Sequence, residues 1–115
     1  MKIIRTKNEN ISVKEKYLMC MSPEIQRMRD MEGMDVPVIN WMIYSDKDKE
    51  GKEQTLLSIL SEDNVAYATN SPTFIEAFTE LCDMFSDSGE EIIAIKVIGR
   101  QSKAGRHFIT CAYAE

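Results

Sequence analysis

The rhythm of apolar positions changes near residue 36. Before it, the chain reads as helix or irregular structure. Ser12 is placed to cap a short helix carrying Val13, Tyr17 and Met21. Ser22-Pro23-Glu24 predicts a second helix start, with Ser as cap, Pro in the first turn, and Ile25 and Met28 on one face. Gly33 is placed to end that helix, and Asp35 and Pro37 mark a boundary. Beyond it, Val38–Ser45 (VINWMIYS) is a branched and aromatic run that predicts a strand. One face carries Ile39, Trp41 and Ile43; the other carries Val38, Asn40, Met42 and Tyr44. Trp41, between two isoleucines, reads as core, whereas Tyr44 at the strand end is expected to be wet.

Gln54–Ser61 and Val65–Thr69 predict two more strands, separated by a turn at Glu62-Asp63-Asn64. Ser71 and Pro72 then supply a helix cap and first turn. Phe74, Phe78, Leu81 and Phe85 recur at helical spacing beside Ile75 and Cys82, giving one apolar stripe for a core. Ser88-Gly89 ends this helix. Glu91–Gly99 and His107–Tyr113 predict the last two strands, joined by RQSKAGR.

The predicted order, β-β-β-α-β-β, is that of the OB-fold, a five-stranded, partly open barrel. The reading is an OB-like barrel over 36–115, preceded by a short helical N-terminal extension over 1–35, in one compact unit. An α+β sandwich has the same element order, and strand curvature, which decides between them, is not visible in alternation.

The chain has 115 residues, the size of one domain, with 43% hydrophobic and 29% charged residues. No apolar run approaches a membrane span, and no apolar stretch of secretory type follows MKIIRTKNEN. The expected compartment is the cytoplasm, with no membrane partner. The three cysteines, Cys20, Cys82 and Cys111, are widely spaced and odd in number, which argues against a disulfide framework. One histidine, His107, leaves too few soft ligands for a typical zinc site, so no metal or cofactor is expected. Cys111 lies four residues after His107, but no third group is in view to orient such a pair. DKDKEG lacks the glutamate that would complete a calcium loop. No phosphate-binding glycine loop, HExxH or nucleophile elbow occurs, so no catalytic residue is assigned.

Charge changes the picture through its distribution. The net charge of −5 excludes a protein that is basic all over. Residues 72–90 carry Glu76, Glu80, Asp83, Asp87 and Glu90 and no cation, whereas Gly99–His107 carries Arg100, Lys103 and Arg106 and no acid. Screening confines each patch's field to about 8–10 Å, so an acidic protein can present a basic surface.

In an OB-fold the ligand crosses strands two and three, flanked by the loops between strands one and two and between strands four and five. Here those loops are DKDKEGKE and RQSKAGR, each with cations around a glycine. Lys47, Lys49, Lys52, Arg100, Lys103 and Arg106 are the candidates to track phosphates, and Tyr44, Tyr67 and Phe108 to stack bases. The expected function is a non-enzymatic, sequence-tolerant binder of single-stranded nucleic acid, DNA or RNA. A domain this small is expected to act as a homodimer or cooperatively. The methionines Met19, Met21, Met28, Met31 and Met34 suit either an irregular core or a partner contact. The rival reading is an acidic inhibitor or adaptor that presents the 72–90 helix to a host protein.

Three segments, SPEIQRMRDMEG, TNSPTFIEAFTELCDMF and SKAGRHFITCAYAE, resemble small single-stranded-DNA-binding proteins encoded by phages and integrative elements of Gram-positive bacteria. The resemblance covers most of residues 22–115. It implies protection or delivery of single strands during replication or recombination. The sequence departs from housekeeping bacterial single-strand binders in lacking a long disordered tail with an acidic tip; if that tail is the docking handle for replication partners, this protein is expected to recruit them otherwise or not at all.

Overall fold

The strong alternation after residue 39 produces an antiparallel hairpin in the computed structural model, which describes residues 1–115. Strands β4 (Asn40–Lys47) and β5 (Glu53–Leu60) pair from Asn40↔Leu60 to Lys47↔Glu53. β1 (Lys2–Thr6), helix α1 (Val13–Cys20), β2 (Gln26–Arg27) and β3 (Asp35–Pro37) precede this hairpin. β6 (Ala66–Thr69), helix α2 (Pro72–Ser88), β7 (Ala94–Gln101) and β8 (His107–Ala114) follow it. One sheet has the order β1-β4-β5-β6-β2, and the other has the order β3-β7-β8.

The chain changes sheets within two residues. Val38 N–H donates to the Ile93 carbonyl at 2.8 Å, and Ile39 N–H donates to the Leu60 carbonyl at 2.9 Å. Strands that switch sheets in this way make the corners of packed β structures. The strand predicted over Val38–Ser45 is therefore corrected to start at Asn40, with Val38 and Ile39 forming the corner after β3. The predicted strand count is corrected too: the fold is mixed α+β with eight strands in sheets of five and three, and it is not a closed barrel, since no ladder joins β6 to β8. One side chain reaches across that gap, where Ser71 Oγ donates to the Ile109 carbonyl at 3.3 Å.

The N-terminal region is less helical than predicted. α1 forms as its cap residue implies, with a capping box in which Ser12 Oγ accepts from Glu15 N–H and Glu15 accepts from Ser12 N–H. The second helix does not form. Ser22 to Ile25 make turns, β2 runs parallel beside β6, and Met28–Met31 is a short 3-10 turn. Pairing to β6 satisfies this backbone, a long-range option that local helix signals do not reveal.

α2 matches its sequence signals closely. Ser71 accepts from Phe74 N–H, Pro72 occupies the first turn, and Gly89 ends the helix in the left-handed region at φ 78°. Its Phe74 and Phe78 are fully buried between the sheets, with Trp41 edge-on to Phe78 at 5.3 Å. Truncating one such ring to Ala costs about 3–5 kcal/mol. This main core also takes Ile43, Leu57, Ile59, Ile95 and Val97. A second, smaller core lies on the opposite face of the five-stranded sheet, where α1 packs Met19 against Met42, Tyr44, Leu60 and Ala66. The C-terminal half of β5 is buried on both faces in consequence. No helix is long and apolar enough to cross a membrane.

Candidate nucleic-acid interface

The two loops singled out by their cations prove to be copies of one turn. In the β4–β5 loop, Asp48 N–H donates to the Lys52 carbonyl at 2.8 Å, and Gly51 N–H donates back to the Asp48 carbonyl at 3.0 Å. The Asp48 carboxylate accepts from Lys52 N–H at 2.9 Å. In the β7–β8 loop, Ser102 N–H donates to the Arg106 carbonyl at 2.9 Å, and Gly105 N–H donates to the Ser102 carbonyl at 2.9 Å. The Ser102 hydroxyl accepts from Arg106 N–H at 3.1 Å. Gly51 and Gly105 sit at φ 80° and 82°, a conformation that favours glycine in both. Each turn thus projects a lysine from its second position, Lys49 or Lys103, and a cation from its fifth, Lys52 or Arg106. Lys47, Lys49, Lys52, Arg100, Lys103 and Arg106 are all exposed, and none takes part in an ion pair.

The strands that leave these turns, β5 and β8, are both tied to the stretch Thr69-Asn70-Ser71. Asn70 Nδ2 donates to Gln54 Oε1 at 3.1 Å, tying the stretch to the start of β5, and Ser71 ties it to β8. Three open clefts share Asn70; one, of about 490 Å³, runs past Gln54 and Glu76, and the other two lie on the Arg29 side. Of those two, one is lined by Arg29, Thr69, Asn70, Ser71, His107, Phe108 and Ile109; the other by Arg27, Arg29, Leu56, Ala68, Thr69 and Asn70. Their shared residues make them one trough. Their volumes, about 190 and 280 Å³, fall below the range of enclosed small-molecule sites. An open trough of this kind suits a passing chain.

Arg27 and Arg29 are the residues that sequence reasoning missed. Both are exposed on either side of the fully buried Met28. Arg27 is held by Asp30 through two 3.3 Å hydrogen bonds, whereas Arg29 makes no ion pair and stands where the two clefts of the trough meet. The alternation Arg27-Met28-Arg29 was the available signal, but the helix reading masked it.

The aromatic candidates separate. Phe108 is half-buried in the trough and lies opposite Arg100 in the β7–β8 register. Tyr67 is half-buried with its side chain packed against the main core. Tyr44, expected to be wet, is corrected: it is 3% exposed because α1 covers it. Burial, then the charges of Cys20 and Asp46, push its phenol up to about 12.

The remaining chemistry lies elsewhere. His107 Nε2 bonds Glu32 Oε2 at 2.9 Å rather than pairing with Cys111. Glu32 crosses Gly99, where any Cβ would overlap its carboxylate. Burial raises the Cys82 and Cys111 thiols to about 11 and 12. Lys96 faces Asp35 at 3.7 Å on the solvent side of β7. On α2, Glu76, Glu80, Asp83 and Asp87 are exposed; Asp83 accepts from Arg5 at 2.8 Å, and that guanidinium lies over Trp41 at 5.6 Å from the ring centroid.

No curated protein and no solved structure matches the chain significantly. A family model does, over residues 24–113, from the turn before β2 almost to the end of β8. That span includes both turns, the trough and α2. The model describes the phage single-stranded DNA-binding protein of the phi29 type, and this chain belongs to that family.

Proposed function

We propose that the chain is a non-enzymatic, sequence-tolerant binder that coats single-stranded DNA exposed during phage replication or recombination. The observation that carries this reading is the pair of matching turns. Each holds exposed, unpaired cations on a fixed backbone, and the strand that leaves each turn is tied to the Thr69–Ser71 trough. Cations that track phosphates and an aromatic face that stacks a base are what sequence-tolerant single-strand binding requires. Arg100, Lys103 and Arg106, with Arg29, act on phosphates; Lys47, Lys49 and Lys52 contribute from the other turn; Phe108 offers the stacking face. The bent β3–β4 segment, the β5–β6 meander and the β7–β8 hairpin support reading the architecture as an OB-like barrel left open between β6 and β8. Action as a homodimer in the cytoplasm, beside a replication partner, belongs to the same reading.

The test is an anisotropy titration of labelled oligothymidylate and a matched duplex at low and moderate salt. Trp41 is a poor reporter because it is buried beneath Arg5. Saturable binding of the single strand, weakening linearly in log salt and at least about tenfold tighter than duplex, is the expected result. Equal affinity for duplex, or no binding of the single strand, would overturn the proposal.

A further inference from the structure

The trough does not end at its visible edge. Leu56, which lines it, also packs into the second core beneath α1. The same face of the sheet continues under that helix as Ser58, Leu60, Met42 and Tyr44. Four features of this covered surface are unusual for a permanent core.

Ser58 is 0% exposed and its hydroxyl has no hydrogen-bond partner. Its neighbours in register are Met42 and Ala68, which offer no side-chain acceptor. A buried hydroxyl left unpaired has lost its hydration with no hydrogen bond in return. Asn40, also buried, reaches outward to the Glu15 carboxylate of α1 at 3.0 Å. Tyr44, the largest aromatic side chain on this face, is sealed beneath the helix. α1 itself is weakly committed: of its eight residues only Met19 is fully buried, while Val13 and Tyr17, followed by Met21, form an exposed row. Chain without regular secondary structure flanks it on both sides, at residues 7–12 and 21–25.

We infer that α1 is a displaceable cover over an extension of the trough, and that unpaired nucleobases occupy the uncovered surface. Tyr44 supplies the stacking face, and Asn40 and Ser58 supply hydrogen bonds to base edges. The inference rests on the single-strand reading above. It adds that the strand's site is longer than the closed structure displays. The cover lowers apparent affinity by the fraction of molecules in which it is shut.

Cys20, at the end of α1, reports on the cover. Its half-buried thiol is pushed up to about 11, chiefly by burial and then by the charge of Asp46. Release of α1 into solvent therefore raises its reactive thiolate. The experiment is iodoacetamide labelling of the full-length chain, read per cysteine by mass spectrometry, with and without saturating oligothymidylate. Binding is followed in parallel by anisotropy.

Labelling of Cys20 is expected to accelerate about tenfold with the oligomer, while Cys82 and Cys111 stay slow. Binding with Cys20 labelling unchanged or slowed overturns the cover and leaves the single-strand function standing. No binding at all removes the function itself, and the cover with it. A Met19→Ser variant gives the converse reading. It is expected to label quickly without DNA and to bind about threefold more tightly. Weaker binding by that folded variant would show that α1 is only structural. If the variant does not fold, the native-chain labelling decides alone.

Discussion

The β4–β5 and β7–β8 turns share one backbone and differ in what decorates it. Asp48-Lys49-Glu50-Gly51-Lys52 and Ser102-Lys103-Ala104-Gly105-Arg106 close through the same three hydrogen bonds. In the first, two carboxylates sit among the lysines; in the second, a hydroxyl and a methyl occupy those positions. The bond from the first side chain to the fifth amide is made equally by a carboxylate and a hydroxyl. Charge at that position is therefore not needed for the turn. The comparison teaches that shape and electrostatics are set separately here: both turns present cations, but only the β7–β8 turn does so without opposing charge.

That difference can be broken or sharpened by substitution. The largest single-residue effect is expected away from the turns' charge, at Phe108→Ala. Loss of a stacked base costs about 1–3 kcal/mol, so oligothymidylate affinity should fall about tenfold or more with little change in salt slope. A weakening that comes entirely through a flatter slope would assign Phe108 a different role.

Making the second turn like the first, with Ser102→Asp and Ala104→Glu, should weaken binding about fourfold at low salt. Two added charges about 10 Å from a phosphate in water contribute roughly this much. Asp48 shows that the turn accepts the carboxylate, so circular dichroism and thermal melting should be unchanged. The opposite exchange, Asp48→Ser with Glu50→Ala, should strengthen binding about threefold, and the gain should fade as salt rises. A gain that survives high salt would mean that the β4–β5 turn contacts bases.

The smallest expected effect concerns α1. Hydrogen bonds, first from Asn40 and then from the Ser12 amide and hydroxyl, hold the Glu15 carboxyl below its ordinary range. A depressed carboxyl stabilises the folded state above its unfolded pKa and loses that contribution as pH falls through the folded value. Acidification below about pH 4.5 should therefore loosen α1 while β4 and β5 remain paired. After correction for intrinsic rates, amide exchange over residues 13–20 should accelerate a few-fold relative to β5. Uniform acceleration in both elements would place the sensitive carboxylate elsewhere.

What was legible in the sequence was local. Ser71, Pro72, the phenylalanine spacing and Gly89 specify α2 without outside help, and alternation located the later strands to within a few residues. The shared lysine and glycine spacing of the two turns was also visible. The misreadings all involve distant partners. Residues 22–32 carry plausible helix signals, yet β6, some forty positions away, captures Gln26 and Arg27 as a strand. Alternation runs smoothly through Val38 and Ile39, so it does not show that they bond to different sheets. Tyr44 stands beside a polar loop in sequence but beneath α1 in space. Arg29 reaches the trough only because Met28 is buried and β2 lies beside β6.

The most direct test of the central claim sets two triple variants side by side. Arg100→Ala, Lys103→Ala and Arg106→Ala are combined in one, and Lys47→Ala, Lys49→Ala and Lys52→Ala in the other, with oligothymidylate affinity measured across a salt series. The first should lose about thirtyfold at low salt and flatten the log–log slope by about 2. The second should lose less than about fivefold, because the acids of that turn already offset its lysines. Equal losses, or a larger loss from the lysine set, would contradict the account.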